Sequence, residues 1–332
     1  MPDTFNQNWV PRNIADIENE NALNDLGQPF FITRKSISHL HKKYVAKEND
    51  IYIATYPKCG TTWTIKIVEH LYKNVLDGIG GGMTENELAP WFETITSPGF
   101  RDNSEHAIIR ANARETRVWK THSSVGLLPK PHEKGKTIKV LVCLRHPLDV
   151  FVSTWHQVRR IKEFNYQASF RDFFRNVCLR GLNTDHFFRF HEEYFESCEK
   201  GEIKALFIRY EDMLRREGAI EAIEKIATFL EISEYDAKDI AEKTSFNSMR
   251  KLEEEKGLLG KDETFQKGED KTQGSPERIG TNFIRAGKAG GWVDYLNEED
   301  LDIWRNYVKF WEIYCPKAIE FFGRDFLLVN KN

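Results

Sequence analysis

The sequence predicts an α/β protein with one domain, in which a central parallel sheet is flanked by helices. Three observations predict this fold class. Short apolar runs alternate with longer segments of helical periodicity. The runs are apolar almost throughout, which is typical of strands buried on both faces. The chain has 332 residues, 40% of them hydrophobic, which is enough for a sizeable core. No repeat or clear boundary divides it, so we treat residues 1–332 as one domain.

The predicted strands and helices follow one another in alternation. Strands are expected at residues 51–54, 138–144 and 205–208, and each is followed by a predicted helix, at residues 62–76, 147–158 and 219–230. Residues 116–119 form a further strand-like stretch. Because ligands bind beyond the carboxyl ends of parallel strands, the segments after these strands are where a site is expected.

Composition excludes several classes of protein. The net charge of −3 argues against general nucleic-acid binding. No run approaches the roughly 18 apolar residues of a membrane helix, and the first 21 residues lack the apolar segment of a secretion signal. The five cysteines are scattered and form no CxxC pair, so neither a disulfide framework nor a metal site is predicted. We therefore expect a cytoplasmic protein that binds neither nucleic acid nor membrane.

One long segment, residues 251–278, is densely charged and contains several glycines. Such a composition is typical of a solvated, mobile loop. Long loops inside compact domains are also often functional, so a lid that orders over a bound ligand is the second interpretation. Both interpretations remain open at this point.

The most informative string is TYPKCGTTW at residues 55–63, between the first predicted strand and the helix that follows. Such a junction presents free backbone N–H groups and the positive end of a helix dipole. Gly60 lets the chain approach an anion, Lys58 adds a charge, and Thr61 and Thr62 supply hydroxyls. The string predicts a phosphate-binding loop. It is not a Walker A motif, because the lysine precedes the glycine.

A second anion site is predicted at the end of the next long strand. Arg145 ends that strand, and Ser153 lies one to two turns into the following helix, so that both can hold one phosphate. The alternative is an ion pair between Arg145 and Asp149.

These motifs resemble those of the cytosolic sulfotransferases, which use 3′-phosphoadenosine 5′-phosphosulfate (PAPS) as sulfuryl donor. The string at residues 55–63 resembles the 5′-phosphosulfate loop of the family, usually TYPKSGTTW, with Cys59 in place of serine. Residues 145–153 resemble the 3′-phosphate site, R-[N/H/D]-P-x-D-x-x-x-S. The motifs keep the family's order over about residues 30–292, which implies the P-loop-like sulfotransferase fold. Beside Lys58 at a helix start, Cys59 could alternatively be an oxidisable thiol of low pKa.

The resemblance also implies an adenine site. The segment RYEDM at residues 209–213 places Tyr210 near the base. The segment TSFNSM at residues 244–249 places Thr244 and Phe246 beside it, with Trp63 stacking from the other side.

The last cofactor motif departs from the family. Where the family commonly has RKG-x-x-GDWK, this chain keeps Arg285 and Gly287, but Ala286 replaces the lysine and Gly291 replaces the aspartate. Lys288 is the neighbouring lysine that could take the missing place. The KxxxTVxxxE segment often found in the family's dimers is absent, and that dimer is not predicted.

The resemblance assigns the chemistry to four side chains. The segment VWKTH ending at His122 resembles the family's KTH segment, in which the histidine is the general base and the lysine, here Lys120, aids the transferring group. Lys58 stabilises charge on the leaving oxygen, and Ser153 helps to hold Lys58. Histidine suits the role because its unperturbed pKa of about 6.5 leaves it largely neutral near pH 7. No metal is required.

The acceptor site is less defined, and core packing is an equal alternative for each aromatic residue proposed to line it. The proposed walls are Phe31, Trp91, Phe92, Trp155 and His156. Glutamates at positions 85, 87 and 93 suggest a small-molecule acceptor that is cationic or carries an amine. Two other functions remain open. One is a P-loop nucleotide kinase or NTPase, and the other is an inactive nucleotide-binding protein of the same fold.

Overall fold

The computed structural model describes residues 38, 41–48, 50–76, 92, 116–159, 166–180, 187–256 and 287–329. The strands are β1 (Ile51–Thr55), β2 (Val118–Thr121), β3 (Lys139–Leu144) and β4 (Lys204–Arg209). The helices are α1 (Thr61–Leu76), α2 (Pro147–Val158), α3 (Phe170–Asn176), α4 (Phe187–Glu199), α5 (Arg216–Leu230), α6 (Ala237–Lys243), α7 (Phe246–Lys256), α8 (Glu298–Tyr314), α9 (Pro316–Phe322) and α10 (Arg324–Leu327).

The four strands form one parallel sheet in the order β2-β1-β3-β4. The register places Ala54 beside Thr121 on one side and Val142 on the other. The prediction of a parallel sheet flanked by helices is therefore confirmed. Because all strands run the same way, their carboxyl ends meet at one edge, which we call the ligand edge. The predicted phosphate loop, His122 and Arg145 all follow strands there.

Side chains that alternate along each strand divide the core between the two faces of the sheet. On one face, Tyr52 and Ala54 of β1 pack with buried residues of α2, α4, α8 and α9. On the other face, Ile51 and Ile53 pack with α1, α5 and α6. Strands covered on both faces explain the nearly continuous apolar runs in the sequence.

The predicted helices occur close to their expected positions, with one correction. Helix α2 has the predicted bounds, and Pro147 occupies its first turn, where a missing N–H costs nothing. The prediction of a loop from residue 251 is wrong for residues 251–256, which belong to α7. These residues are strong helix formers, and Arg250 pairs with Glu254 one turn later at 3.1 Å. The remainder of that segment lies outside the described residues.

Both ends of α9 are held by charged side chains from other elements. The Glu192 carboxylate of α4 accepts hydrogen bonds from the backbone N–H groups of Lys317 (3.3 Å) and Ala318 (2.8 Å). The Arg209 guanidinium donates to the carbonyls of Phe321 and Phe322 at the opposite end. These contacts follow the sign of the helix dipole, so the arginine of the RYEDM segment stabilises the fold. Among the described helices, none has the length and apolar composition needed to cross a membrane.

Candidate active site

The segment between β1 and α1 forms a tight loop at the ligand edge. Lys58 and Gly60 both have left-handed backbone conformations, with φ of 72° and 97°. The Cys59 N–H donates to the Tyr56 carbonyl at 3.1 Å and closes a turn. A side chain at Gly60 would lie 3.0 Å from the Tyr210 ring, so only glycine lets the loop pass this closely. The segment is therefore a tight turn, and it leads directly into the N-terminus of α1.

The side chains of the loop separate into a polar and a buried set. The Thr61 and Thr55 hydroxyls lie 2.6 Å apart, and Thr62 and Trp63 begin α1. The Cys59 thiol is completely buried, and burial raises its pKa well above the usual value, with the nearby Cys143 thiol adding to the effect. The alternative of an oxidisable thiol of low pKa is wrong, because desolvation outweighs the attraction of nearby positive groups.

His122 follows β2 directly and is fixed by the main chain of β1. Its Nδ1 atom lies 2.7 Å from the Thr55 carbonyl oxygen and 3.4 Å from the Thr55 hydroxyl. A carbonyl can only accept a hydrogen bond, so Nδ1 carries the proton and the lone pair is on Nε2. Desolvation first, with the positive charges of Lys120 and Lys58, lowers the pKa of His122 to about 3. The imidazole is therefore neutral at pH 7.

Arg145 lies at the end of β3, is only 8% exposed, and contacts three parts of the site. Its guanidinium lies 4.4 Å from the centre of the Tyr210 ring. Its Nη1 donates to the Lys58 carbonyl at 3.3 Å, and its Nη2 donates to the Lys288 carbonyl at 3.4 Å. Among the described residues, its buried Nε has no hydrogen-bond partner. This arginine therefore joins the phosphate loop to the segment that begins at residue 287.

The predicted alternative partner of Arg145 has a different role. The Asp149 carboxylate accepts a hydrogen bond from the backbone N–H of Gly290 at 2.7 Å, and no ion pair joins it to Arg145 in the described part of the chain. The alternative of an Arg145–Asp149 ion pair is wrong, because residues 287–291 return to this edge and offer Asp149 a main-chain donor. Ser153 lies in the second turn of α2 and is half-buried.

The predicted adenine residues make separate contacts, and one of them, Tyr210, lies against Arg145. The Trp63 and Tyr210 rings meet edge to face, with centroids 5.3 Å apart. A side chain at Gly287 would lie 2.0 Å from the Phe246 ring, so Gly287 packs directly on it. Thr244 is buried, and its hydroxyl donates to the Ile240 carbonyl at 2.8 Å. The Trp63 Nε1 atom is buried without a hydrogen-bond partner among the described residues.

The proposed acceptor residues lie in aromatic clusters. Phe92 is buried and packs edge to face with the rings of Tyr44, Tyr52 and Trp119. The indole N–H of Trp155 donates to the Ala168 carbonyl at 3.1 Å.

His156, the next residue, is half-buried, and its Nε2 lies 3.0 Å from the Tyr295 hydroxyl. Phe31, Trp91, Arg285 and Ala286 lie outside the described residues.

Sequence reasoning missed several residues that shape the site. The Thr55 carbonyl, the Gly290 amide and Tyr295 all act through contacts with residues far away in the chain. No sequence signal pointed to them, because backbone groups and single polar side chains carry no motif. In the described part of the chain, no group of three or more histidine, cysteine, aspartate or glutamate side chains is arranged to bind a metal.

Comparison with known proteins identifies related sequences and folds. The family model described as the sulfotransferase domain matches residues 48–317. Cytosolic sulfotransferase 13 of Arabidopsis thaliana is 30% identical over 284 residues, covering 79% of this chain and 76% of that protein. Cytosolic sulfotransferase 12 of the same plant is 29% identical, covering 79% and 77%.

Solved structures agree on the fold. A mouse sulfotransferase complexed with PAP superposes with a TM-score of 0.63 at 21% identity, covering 87% of this chain and 93% of that one. Retinol dehydratase in complex with androsterone and PAP has a TM-score of 0.63 at 22% identity, and 83% of each chain is covered.

Proposed function

This chain belongs to the sulfotransferase family, and from that premise we propose that it transfers the sulfuryl group of PAPS to a hydroxyl or amine of a small-molecule acceptor. The observation that carries the proposal is the convergence at the ligand edge. There the loop after β1, His122 after β2 and Arg145 after β3 lie on neighbouring strands. Sulfuryl transfer from a nucleotide with two phosphates requires two anion-binding groups and one neutral base. The loop and Arg145 suit the anions, and His122 suits the base.

The residues present fit PAPS at both of its anionic ends. Residues 58–63 would hold the 5′-phosphosulfate, and Arg145 with Ser153 would hold the 3′-phosphate. Tyr210, Trp63 and Phe246 provide aromatic surface for adenine. The buried Trp63 Nε1 and Arg145 Nε atoms, which have no hydrogen-bond partner in the described part of the chain, support a polar ligand here. PAPS supplies the sulfuryl group, and the solved structures of the mouse sulfotransferase and retinol dehydratase contain PAP.

We assign the proton transfer to His122. With Nδ1 bonded to the Thr55 carbonyl, Nε2 accepts the proton of the attacking hydroxyl or amine. A pKa of about 3 is low for a base; desolvation is its main cause, and the positive charges of Lys120 and Lys58 lower it further. A bound anion offsets these positive charges and so raises the pKa of His122 toward the working pH.

Two lysines and a serine complete the proposed mechanism. Lys58 stabilises negative charge on the oxygen that leaves sulfur, and Lys120 holds the sulfuryl oxygens. Ser153 helps to hold Lys58 until the acceptor is present. We also propose a cytosolic location, since the relatives are named cytosolic sulfotransferases.

Thermal unfolding with three nucleotides tests this proposal. Adenosine 3′,5′-bisphosphate should stabilise the protein more than ADP or adenosine 5′-phosphosulfate, because only the bisphosphate carries both a 5′- and a 3′-phosphate. A ligand at about 100 times its Kd adds about 2.7 kcal/mol. An equal response to ADP would instead favour a kinase or NTPase, and no response to any nucleotide would contradict the proposal.

A further inference from the structure

The backbone of Lys58 is held in a conformation that a lysine rarely adopts. Its φ of 72° lies in the left-handed region, where residues with a Cβ atom are disfavoured. Such conformations persist when the surroundings determine them, and they concentrate at ligand sites. The bond from the Cys59 N–H to the Tyr56 carbonyl closes the turn and holds one edge of the peptide plane between Lys58 and Cys59. The opposite edge of that plane carries the Lys58 carbonyl, and the orientation of the plane sets how the chain continues to the Gly60 N–H.

Arg145 holds that peptide plane from another strand. Its Nη1 donates to the Lys58 carbonyl at 3.3 Å, although the two residues are 87 positions apart. The guanidinium is buried and stacks on the Tyr210 ring, and the same ring packs against Gly60 of the loop. Arg145 therefore touches the loop directly through a hydrogen bond and indirectly through Tyr210.

We propose that Arg145 is a positioning residue for the phosphate loop, in addition to being a ligand of the second phosphate. A guanidinium has five N–H donors in a rigid fork, so it can bond the Lys58 and Lys288 carbonyls and still offer Nε to an anion. The two phosphate sites are coupled through this one side chain. The identity of the nucleotide rests on the proposed function, whereas the anchoring of the loop does not.

The competing explanation is that Arg145 serves only the second phosphate. The two explanations differ for a ligand that lacks this phosphate. Adenosine 5′-phosphosulfate reaches the loop but has no 3′-phosphate, so a purely direct role predicts no change in its affinity when Arg145 is altered. A positioning role predicts a loss of affinity for this ligand, because the backbone N–H groups of the loop then point less directly at its 5′ group.

The first experiment measures binding by calorimetry with the full chain. Arg145→Lys keeps the charge but removes the fork. We expect it to weaken binding of adenosine 5′-phosphosulfate about three- to tenfold, the effect of one hydrogen bond. The matched control is Arg189→Lys, which makes the same substitution at an exposed position of α4. Its affinity for the same ligand should change less than about twofold. Unchanged affinity of Arg145→Lys for this ligand, with weaker binding of the bisphosphate, overturns the proposal.

The second experiment needs no ligand. Amide hydrogen exchange in a peptide covering residues 56–62 should be faster in Arg145→Lys than in the wild-type protein, while exchange in β1 stays the same. Equal exchange in the loop overturns the positioning role. If the lysine variant fails to fold, Arg145→Gln, which keeps a side-chain N–H donor, takes its place with the same criterion. If the wild-type protein does not bind the bisphosphate, the sulfotransferase proposal is refuted. The exchange measurement still tests whether Arg145 positions the loop, because it needs no ligand.

Discussion

Two histidines near the ligand edge have opposite tautomers, and they differ in which ring nitrogen donates a hydrogen bond to the main chain. His122 donates through Nδ1 to the Thr55 carbonyl, so the lone pair is on Nε2, the atom proposed as the base. His146 accepts at Nδ1 from the Leu148 N–H, as the N-cap of α2, and lies within 3.1 Å of the Phe326 carbonyl through Nε2. Both nitrogens of His146 are used by the fold. Its burial lowers its pKa to about 4, so it too is neutral at pH 7.

Replacing His122 should therefore abolish most of the turnover without abolishing nucleotide binding. We expect His122→Ala to lower kcat about 10²- to 10⁴-fold, the usual contribution of a general base. The affinity for adenosine 3′,5′-bisphosphate should remain within about threefold, because the imidazole is assigned to the acceptor. Turnover is measured with PAPS and an acceptor found by screening alcohols, phenols and amines. His132→Ala, at an exposed position, is the control and should behave as the wild type. Near-normal turnover in His122→Ala would exclude this base.

At the scale of elements, the starts of β1 and β2 are joined by a buried charge network. The Arg117 guanidinium donates to both carboxylate oxygens of Asp50, at 2.6 Å and 2.5 Å. The Tyr44 hydroxyl donates to the same carboxylate and accepts from the Trp119 indole, both at 2.8 Å. Asp50 and Arg117 are each 2% exposed. They come immediately before the two strands, so the network fixes how β1 and β2 enter the sheet.

Breaking this pair from one side should strongly destabilise the protein. Arg117→Ala leaves the Asp50 carboxylate buried without its cation, which costs about 3–5 kcal/mol of unfolding free energy. The double variant with Asp50→Ala should lose less than the sum of the two single losses, because the second change removes the uncompensated charge. Urea unfolding at pH 7 measures all four proteins. Additive losses would mean that the two side chains stabilise the fold independently.

The sequence predicts elements better than the contacts between them. Strands and helices follow local patterns, so the bounds of the four strands and of α1, α2 and α5 could be placed within a few residues, whereas the other described helices were not predicted. Strand order depends on how the crossovers pack, and nothing local encodes it. The phosphate loop could be predicted because its residues are contiguous. The partner of Asp149 could not, since Gly290 lies 141 positions away and contributes only a backbone N–H.

For the whole molecule, buried neutral histidines make the stability of the fold depend on pH. Burial lowers the pKa of His122 and His191 to about 3 and that of His146 to about 4. His191 lies against Phe187 in the aromatic core, where its Nδ1 lies 2.8 Å from the Phe187 carbonyl. In the unfolded chain each histidine titrates near its ordinary value of about 6.5.

The stability of the protein should therefore fall in acid, and His191 offers the cleanest test because it lies outside the proposed site. Above pH 6.5 these histidines are neutral in both states, so the full stability is present. As the pH falls toward 4, only the unfolded state gains their protons, and each histidine removes at most about 1.4 kcal/mol per pH unit. Raised pKa values at Glu192 and Glu211 act in the opposite direction, so a comparison with a variant is needed.

His191→Asn supplies that comparison, because asparagine keeps a side-chain N–H donor and does not titrate. The variant should lose less stability in acid than the wild type, because its unfolded state takes up one proton fewer. The difference in the free energy of unfolding, variant minus wild type, should therefore increase by about 1 kcal/mol for each unit by which the pH falls from 6 to 4.5. Urea unfolding of both proteins at half-unit intervals measures the difference. A difference that stays constant over this range would mean that His191 titrates alike in both states, and that its burial does not contribute to the acid sensitivity of the fold.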